Sequence, residues 1–273
     1  LFPYTTLFRS GIGGRSALDY LIKVKGYSFL EAVETIIGHT AIQAPVYEKP
    51  QSKEENKPLL LPEKCASNRV ITEYLFGRGM DFEIINYCIS NDLIFESLPY
   101  HNVVFVGYDE KKEPKYAAYR STNKRRIMGD CSGSKKDYSF RLGKENLEEV
   151  HLFECAIDLL SYATLAKLNG QDWKEMSFVS LSGVYSPAKK IEDSKVPIAL
   201  EKYLGSNPSV RKIRIHFDND IAGRKAAQTL KTILPDKYEI VDEPPKAGKD
   251  FNDFLCMRMG IYNKKTHERN EER

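Results

Sequence analysis

Three carboxylates follow predicted strands in the second half of the chain. Glu154 comes directly after the apolar segment 151–153, and Asp218 and Asp220 come directly after the segment 212–217. Two carboxylates in one turn can share a hard cation, and Mg²⁺ takes oxygen ligands while keeping several waters. On its own, the pair is explained at least as well by a polar loop that caps the next helix, since acidic side chains stabilise helix N-termini.

Glu154 shifts the balance between these alternatives. If its strand neighbours the strand before Asp218, three carboxylates converge on one edge of a sheet, and their mutual repulsion is costly without a counter-ion. A divalent cation relieves that repulsion. The cluster is therefore a candidate functional site rather than a packing solution.

The segment 147–257 alternates strands and helices, and this alternation must position the three carboxylates. Strands are predicted at 151–153, 177–181, 212–217 and 238–241, and helices at 156–168, 197–203 and 222–234. Such alternation implies right-handed crossovers and an α/β fold with a Rossmann-like, mostly parallel four-stranded sheet flanked by helices. In these sheets function gathers at the carboxyl ends of strands, where the acidic residues stand.

A smaller α+β domain is predicted over 69–146. Two helices, 69–76 and 81–89, precede an antiparallel hairpin formed by 103–108 and 116–120. Residues 111–144 of this domain are strongly basic, so we expect it to bind nucleic acid.

The N-terminal part of the chain is predicted to form a short helical unit followed by a linker. Residues 1–10 resemble translated sequencing-adapter sequence and are not expected to belong to the fold. Residues 11–40 predict two short helices, the second opened by a capping box of Ser28 and Glu31. Residues 41–68 carry four prolines among polar side chains, which predicts a disordered linker.

Composition excludes several classes of protein. The chain is 41% hydrophobic and 29% charged with a net charge of +3, which is typical of a globular protein. No stretch approaches about 18 apolar residues, so we expect no membrane span. The five cysteines form no Cys-x-x-Cys pair and lie at no zinc-ligand spacing from a histidine, so we expect no zinc site and reduced thiols in the cytoplasm. Residues 258–273 form a charged tail.

Basic residues concentrate just before the acidic segment. Residues 111–144 carry eleven Lys and Arg and three acidic residues, a local net charge of +8. Several stand among tyrosines, a mixture that suits phosphate contacts and base stacking: Arg120, Lys124, Arg125, Arg126, Lys135, Lys136 and Arg141. A solvated hairpin face is the alternative, but the position favours a nucleic-acid groove. Lys249 is a further candidate for a phosphate contact, or equally a surface lysine.

Three motifs resemble the signatures of Toprim domains, a family that includes bacterial primases, topoisomerases and recombination or repair nucleases. The motifs are Phe-Glu-Cys-Ala-Ile-Asp at 153–158, Asp-Asn-Asp-Ile-Ala-Gly-Arg-Lys-Ala-Ala at 218–227 and Gly-Lys-Asp-Phe-Asn-Asp at 248–253. The second is the most specific, because a carboxylate pair precedes Ala-Gly and a basic helix. The chain departs from the family pattern at Cys155, where Gly is usual.

The resemblance implies roles for individual carboxylates. Glu154 would be the acid/base or metal-linked catalytic residue, and Asp218 and Asp220 the Mg²⁺ ligands, with Mn²⁺ as a substitute ion. Asp158 and Asp253 are further candidate ligands.

Two weaker resemblances lie upstream. Residues 69–146 resemble the poorly characterised domain that precedes Toprim in primase-like proteins of mobile elements, and residues 13–38 resemble the tail of the primase zinc-ribbon domain. The chain is accordingly expected to be truncated at its N-terminus.

Together the resemblances imply a primase-like Toprim protein. Its expected activity is Mg²⁺-dependent nucleotidyl transfer, with RNA primers made from NTPs on single-stranded DNA during plasmid or mobile-element replication or transfer. A replicative helicase or a relaxase is the candidate partner. A metal-dependent Toprim nuclease and a non-catalytic DNA-binding accessory protein are the alternatives.

Overall fold

The described residues of the first of the two units, Leu1–Glu55, form two short helices. They are α1 (Ala17–Lys23) and α2 (Phe29–Ile37). The predicted capping box is confirmed, because the Ser28 N–H donates to Glu31 Oε2 at 2.7 Å and the Glu31 N–H donates to Ser28 Oγ at 3.3 Å.

The second unit, Asn56–Arg273, contains every element discussed below. The structure, a computed structural model, describes residues 17–37, 57–183, 185, 187, 188 and 190–261. The adapter-like segment 1–10, the first part of the predicted linker and nearly all of the charged tail lie outside these residues.

Residues 57–68 run in an extended path along the second unit, which differs from the disordered linker predicted for 41–68. The Cys65 N–H donates to the Glu96 carbonyl at 2.8 Å. Leu59 packs against the apolar cluster of the neighbouring sheet. Apolar burial and backbone hydrogen bonds thus offset the entropy of ordering this segment, and neither is visible in its polar composition.

Two helices and an antiparallel sheet follow. They are α3 (Arg69–Phe76), α4 (Phe82–Ser90), β1 (Ile94–Glu96), β2 (Val103–Tyr108), β3 (Pro114–Arg120) and β4 (Met128–Asp130). The four strands lie in sequence order and each pairs antiparallel with the next. The predicted α+β arrangement is present, with two three-residue strands, β1 and β4, added at its edges.

The rest of the second unit forms an α/β layer around a second sheet. Its elements are β5 (Arg141–Gly143), β6 (Glu149–Phe153), α5 (Ala156–Leu168), β7 (Ser177–Ser180), α6 (Ile198–Ser206), β8 (Lys212–Ile215), α7 (Ile221–Ile233), β9 (Glu239–Asp242) and α8 (Phe251–Arg258). The strand order is β5-β7-β6-β8-β9. Within the described residues, no helix has the length and apolar character needed to cross a membrane.

The mostly parallel α/β sheet predicted from the sequence is confirmed. Strands β6 to β9 are the four predicted strands, and they pair in parallel. The sheet has five strands rather than four, because β5 adds an antiparallel edge beside β7. This strand has only three residues, Arg-Leu-Gly, and too little pattern to be predicted.

Alternate residues of β6 serve two different cores. Val150 and Leu152 pack in a cluster with residues of α6 and α7 on one face of the sheet. Phe153 packs on the other face in a cluster that also contains Leu75 of α3 and Leu255 of α8. The second cluster therefore joins the α+β part and the α/β part into one continuous core.

Candidate functional site

Glu154 and Asp218 meet at the carboxyl edge of the sheet because β6 and β8 are neighbouring strands. The two strands pair in parallel, with Leu152 opposite Ile215. The Asp218 N–H donates to Glu154 Oε1 at 3.1 Å. The predicted pairing of these two strands, which brings Glu154 and Asp218 to one edge of the sheet, is confirmed.

Asp220 begins α7 as its N-cap. One carboxylate oxygen, Oδ1, accepts from the Gly223 N–H at 2.9 Å, and this hydrogen bond is the main cause that lowers the pKa of Asp220. The other oxygen, Oδ2, lies 3.2 Å from Lys249 Nζ. Asp220 therefore caps the helix, which confirms that alternative, and it presents its other carboxylate oxygen to Lys249; a cation shared with Asp218 stays a prediction.

The ammonium group of Lys249 lies between the two aspartates. Its Nζ is 3.0 Å from Asp218 Oδ2 and 3.2 Å from Asp220 Oδ2. The hydrogen bond with Asp218 is the main cause that raises the pKa of Lys249. A cation is thus already favoured at this position, and Lys249 contacts the acidic edge rather than lying on a remote surface.

Glu154 is a buried carboxyl with a strongly shifted pKa. The residue is only 5% exposed. Burial, followed by the charge of Asp218, raises its pKa to about 7. A group that titrates near neutral pH can exchange protons under physiological conditions, as a general acid or base must.

A second pair of carboxyls, Asp158 and Asp250, lies behind this edge. Asp158 accepts a hydrogen bond from the Asn252 N–H at 3.3 Å. Burial, followed by the charge of Asp250, raises the pKa of Asp158 to about 7, and burial also raises the pKa of Asp250. Asp218 contributes to both shifts, so these carboxyls are electrostatically connected to the first group.

The structure assigns different positions to the two acidic residues of the third motif. Asp250 is the N-cap of α8, where it accepts from the Asp253 N–H at 2.7 Å. Asp253, the residue singled out from the sequence, accepts from the Lys249 N–H at 3.3 Å and holds the turn before the helix. Burial raises the pKa of Asp250, and the charge of Asp218 adds to that rise. The place of Asp250 directly after Lys249 in the motif was the available signal.

Cys155, which replaces the usual Gly, is hydrogen-bonded within the site. Its Sγ donates to Asp158 Oδ2 at 2.8 Å. Burial raises the pKa of the thiol, while the charge of Arg120 opposes that rise. The thiol therefore stays protonated and satisfies one oxygen of Asp158.

Gly223 allows the first turn of α7 to pack directly on the acidic edge. A Cβ at this position would lie 2.3 Å from the Asp218 carbonyl oxygen and 2.9 Å from Glu154 Oε1. No side chain fits that space. The Gly in the second motif is thus explained by close backbone approach.

The predicted basic residues separate into three groups. Arg120 lies close enough to the acidic edge to affect the pKa of Cys155, after the larger effect of burial. The turn between β3 and β4 exposes a basic run, Lys124, Arg125 and Arg126, and Lys135 is exposed beyond β4. The remaining two are engaged elsewhere.

Arg141 and Lys136 are those two residues. The Arg141 guanidinium lies over the Tyr203 ring at 5.2 Å and its side chain is 17% exposed. Lys136 forms an ion pair with Asp130 at 3.0 Å. Arg141 supports the packing of β5 against α6, so the structure does not bring it to the acidic edge.

Sequence reasoning missed Arg78, which lies between two glycines after α3. Arg78 and Arg120 both donate to the Tyr74 hydroxyl, at 3.5 Å and 3.1 Å. Burial raises the pKa of Asp250, and the charge of Arg78 opposes that rise. We call Arg78 and Arg120 the arginine pair; it places two positive charges beside the carboxylates.

Family comparisons match two adjacent stretches of the chain. A Toprim-like family model matches residues 151–255, and the model of a protein family of unknown function, DUF3991, matches residues 73–146. Comparison with curated proteins gives no match.

Several solved structures are similar to this chain. The primase fragment of the bacteriophage T7 primase-helicase protein is 20% identical, with 68% of each chain covered and a TM-score of 0.45. A DNA primase domain from Pseudomonas aeruginosa is 16% identical, with 70% of this chain and 68% of that chain covered and a TM-score of 0.45. The catalytic core of the E. coli primase is 12% identical, with 75% and 71% covered and a TM-score of 0.45.

Proposed function

From the premise that the chain carries a Toprim-like domain preceded by a DUF3991 domain, we propose that it is a Mg²⁺-dependent nucleotidyltransferase that makes RNA primers on single-stranded DNA. The observation that carries the proposal is the convergence of Glu154 and Asp218 at the ends of two hydrogen-bonded parallel strands, with Asp220 linked to Asp218 through Lys249. Function in such sheets gathers at this edge.

The donor atoms at this edge fit a hard divalent cation. Glu154, Asp218 and Asp220 offer only carboxylate oxygens, the ligand type that Mg²⁺ and Mn²⁺ favour. The ammonium group of Lys249 lies within 3.2 Å of both aspartates, which supports the view that this position attracts positive charge. When bound, the metal would neutralise charge on the transferring phosphoryl group.

Glu154 is the residue placed to move a proton. Its Oε1 accepts from the Asp218 N–H at 3.1 Å, so the carboxyl is held in one orientation. Burial and the charge of Asp218 raise its pKa to about 7 in the metal-free protein, and we infer that it takes the proton of an attacking sugar hydroxyl as the new phosphodiester bond forms and pyrophosphate leaves.

The arginine pair is placed to bind phosphates. Both guanidinium groups contact the Tyr74 hydroxyl, and their charges reach the site, as the pKa values of Asp250 and Cys155 indicate after the larger effect of burial. Arginine suits bidentate phosphate contacts. We infer that this pair holds the triphosphate of an NTP, or the strand it extends, opposite the carboxylates.

The template strand is proposed to follow the basic run at the tip of the β3–β4 turn. Lys124, Arg125 and Arg126 are exposed there, and no side-chain ion pair engages them among the described residues. Such a surface binds phosphates of single strands without sequence preference. A helicase or relaxase partner, a mobile-element context and a cytoplasmic location stay predictions from the sequence.

The test is a primer-synthesis assay with the full chain, single-stranded DNA, labelled NTPs and Mg²⁺ or Mn²⁺. We expect labelled oligoribonucleotides from the wild-type protein and none from Asp218→Asn. Asp236→Asn is the matched control, since Asp236 is an exposed aspartate in the turn after α7.

Two other results would overturn the proposal. DNA shortened by the wild-type protein and not by Asp218→Asn would identify a metal-dependent nuclease. DNA binding without either product, equal in both proteins, would favour a non-catalytic accessory protein.

A further inference from the structure

A second cluster of metal-ligating side chains lies in the α+β part, away from the acidic edge. It consists of Cys65, Glu96 and His101, which come from the extended segment before α3, from β1 and from the β1–β2 loop. One ligand atom from each lies within 4.8 Å of the others, a spacing that the carboxylates of the acidic edge, with Lys249 between Asp218 and Asp220, do not reach.

Glu96 is oriented by the first turn of α3. The residue is 2% exposed, and its Oε2 accepts from the Val70 N–H at 2.8 Å and the Ile71 N–H at 3.3 Å. Its Oε1 lies 2.5 Å from His101 Nδ1. A buried carboxylate is thus held with one oxygen on the helix and the other turned to the cluster.

The other two side chains are held by their backbones. The Cys65 N–H donates to the Glu96 carbonyl at 2.8 Å, so the thiol-bearing residue is tied to the strand that carries the carboxylate. The His101 N–H donates to the Ser97 carbonyl at 2.8 Å, and the Thr122 hydroxyl donates to the His101 carbonyl at 3.0 Å. His101 has a φ of 52°, an uncommon conformation for a residue other than glycine.

We propose that Cys65, Glu96 and His101 bind one Zn²⁺ ion. A thiolate, an imidazole and a carboxylate are the three ligand types that zinc takes in proteins, and three protein ligands leave a fourth position for water. The thiol is free and half-buried, and the histidine side chain is 46% exposed, so an ion can enter.

Binding releases the thiol proton to solvent and moves the imidazole proton from Nδ1 to Nε2. The Cys65 thiolate and the Glu96 carboxylate then balance the charge of the ion. The ion replaces the hydrogen bond between His101 and Glu96. The backbone N–H groups of α3 act as the outer contacts that orient the carboxylate. The site ties the segment 57–68 to β1 and to the β1–β2 loop.

The sequence predicted no zinc site, because these ligands do not share a local motif. Cys65 stands 31 residues before Glu96, and His101 follows only five residues later. Only the pairing of the extended segment with β1 brings the thiol to the other two groups. The ligand types and the independent positioning of each side chain distinguish the cluster from a simple acidic patch.

The experiment titrates Co²⁺, a spectroscopic substitute for Zn²⁺, into the full chain under reducing conditions. We expect a thiolate-to-cobalt absorption band that saturates at one equivalent and disappears on addition of Zn²⁺. The band should be lost in Cys65→Ser and in His101→Asn, in which Asn tolerates the positive φ.

Two variants serve as matched controls. Cys131→Ser removes another half-buried free thiol, and Asp218→Asn alters the acidic edge; both should keep the band. Zn²⁺ should also raise the Tm of the wild-type protein but not that of Cys65→Ser, with circular dichroism confirming that both are folded.

Absence of the band in the folded wild-type protein would overturn the proposal. So would a band of unchanged intensity in Cys65→Ser, since another thiol would then be the ligand. The absorption band requires a thiolate and should persist in Asp218→Asn. A failure of the zinc proposal is therefore distinguishable from a failure of the proposed nucleotidyl transfer.

Discussion

Replacing Gly223 with Ala should displace the Asp218 backbone and the Glu154 carboxylate at the acidic edge. The added Cβ would lie 2.3 Å from the Asp218 carbonyl oxygen, whereas ordinary contact begins at 3.4 Å, so that oxygen must retreat by about 1.1 Å. Overpacking of this kind costs about 1–3 kcal/mol. The better helix propensity of Ala offsets about 0.5–1 kcal/mol. We therefore expect a net loss of about 0–2.5 kcal/mol in the free energy of unfolding.

The functional effect should exceed the effect on stability. A displacement of about 1 Å in a catalytic group can lower a rate about a hundredfold, and the same shift moves the carboxylates that would bind Mg²⁺. The assays are urea unfolding without metal, calorimetric titration of Mg²⁺ and the primer-synthesis assay.

Gly205→Ala is the matched control. Gly205 lies in α6, where an added Cβ meets nothing within 4 Å. This variant should gain about 0.5–1 kcal/mol and keep its Mg²⁺ affinity. The reasoning is refuted if Gly223→Ala and Gly205→Ala have the same unfolding free energy and the same affinity for Mg²⁺.

Three further predictions concern charge. The pKa of Glu154 is about 7 in the folded protein against an ordinary value of 4.5, so its contribution to stability is full below pH 4.5 and is lost as the pH rises through 7. In urea unfolding without metal, Glu154→Gln should therefore reduce the fall of the unfolding free energy between pH 4.5 and 7. An unchanged pH dependence would contradict this prediction. Lys249→Met should bind Mg²⁺ several-fold more tightly than the wild-type protein in calorimetry, because the Lys249 ion pair that competes with Mg²⁺, worth about 0.2–1 kcal/mol, is removed. Equal affinities would show that Lys249 does not compete with Mg²⁺. Replacing Lys124, Arg125 and Arg126 with Ala should reduce the salt slope of single-stranded DNA binding by about 2, measured by fluorescence anisotropy, and an identical slope would exclude phosphate contacts by this run.

Long periodic segments were predictable from the sequence almost to the residue. The helix over 156–168 and the strand over 103–108 have the predicted bounds, since each combines strong apolar patterning with clear stop signals. The acidic edge was predictable for a related reason. Once alternation implies a parallel sheet, strand ends must share an edge, and the acidic residues mark those ends.

Features that depend on distant partners were not predictable. Strand β5 and helix α8 are short, and they are stabilised by neighbours far away in the chain. Arg141 looked like a phosphate ligand from its basic neighbourhood, but it packs on Tyr203, 62 residues later in the sequence. Arg78 had no basic neighbourhood at all, and only the fold brings it beside Asp250.

The continuous core that joins α3 and α4 to α5 and α8 has a consequence for how this arrangement can be inherited. Dividing the chain between the α+β part and the α/β part would expose apolar surface on both fragments. Each fragment should therefore aggregate rather than fold. Recombination between related genes should therefore exchange the α+β part and the α/β part together. We expect the break points before residue 57 and not at the boundary of the two parts around residue 147.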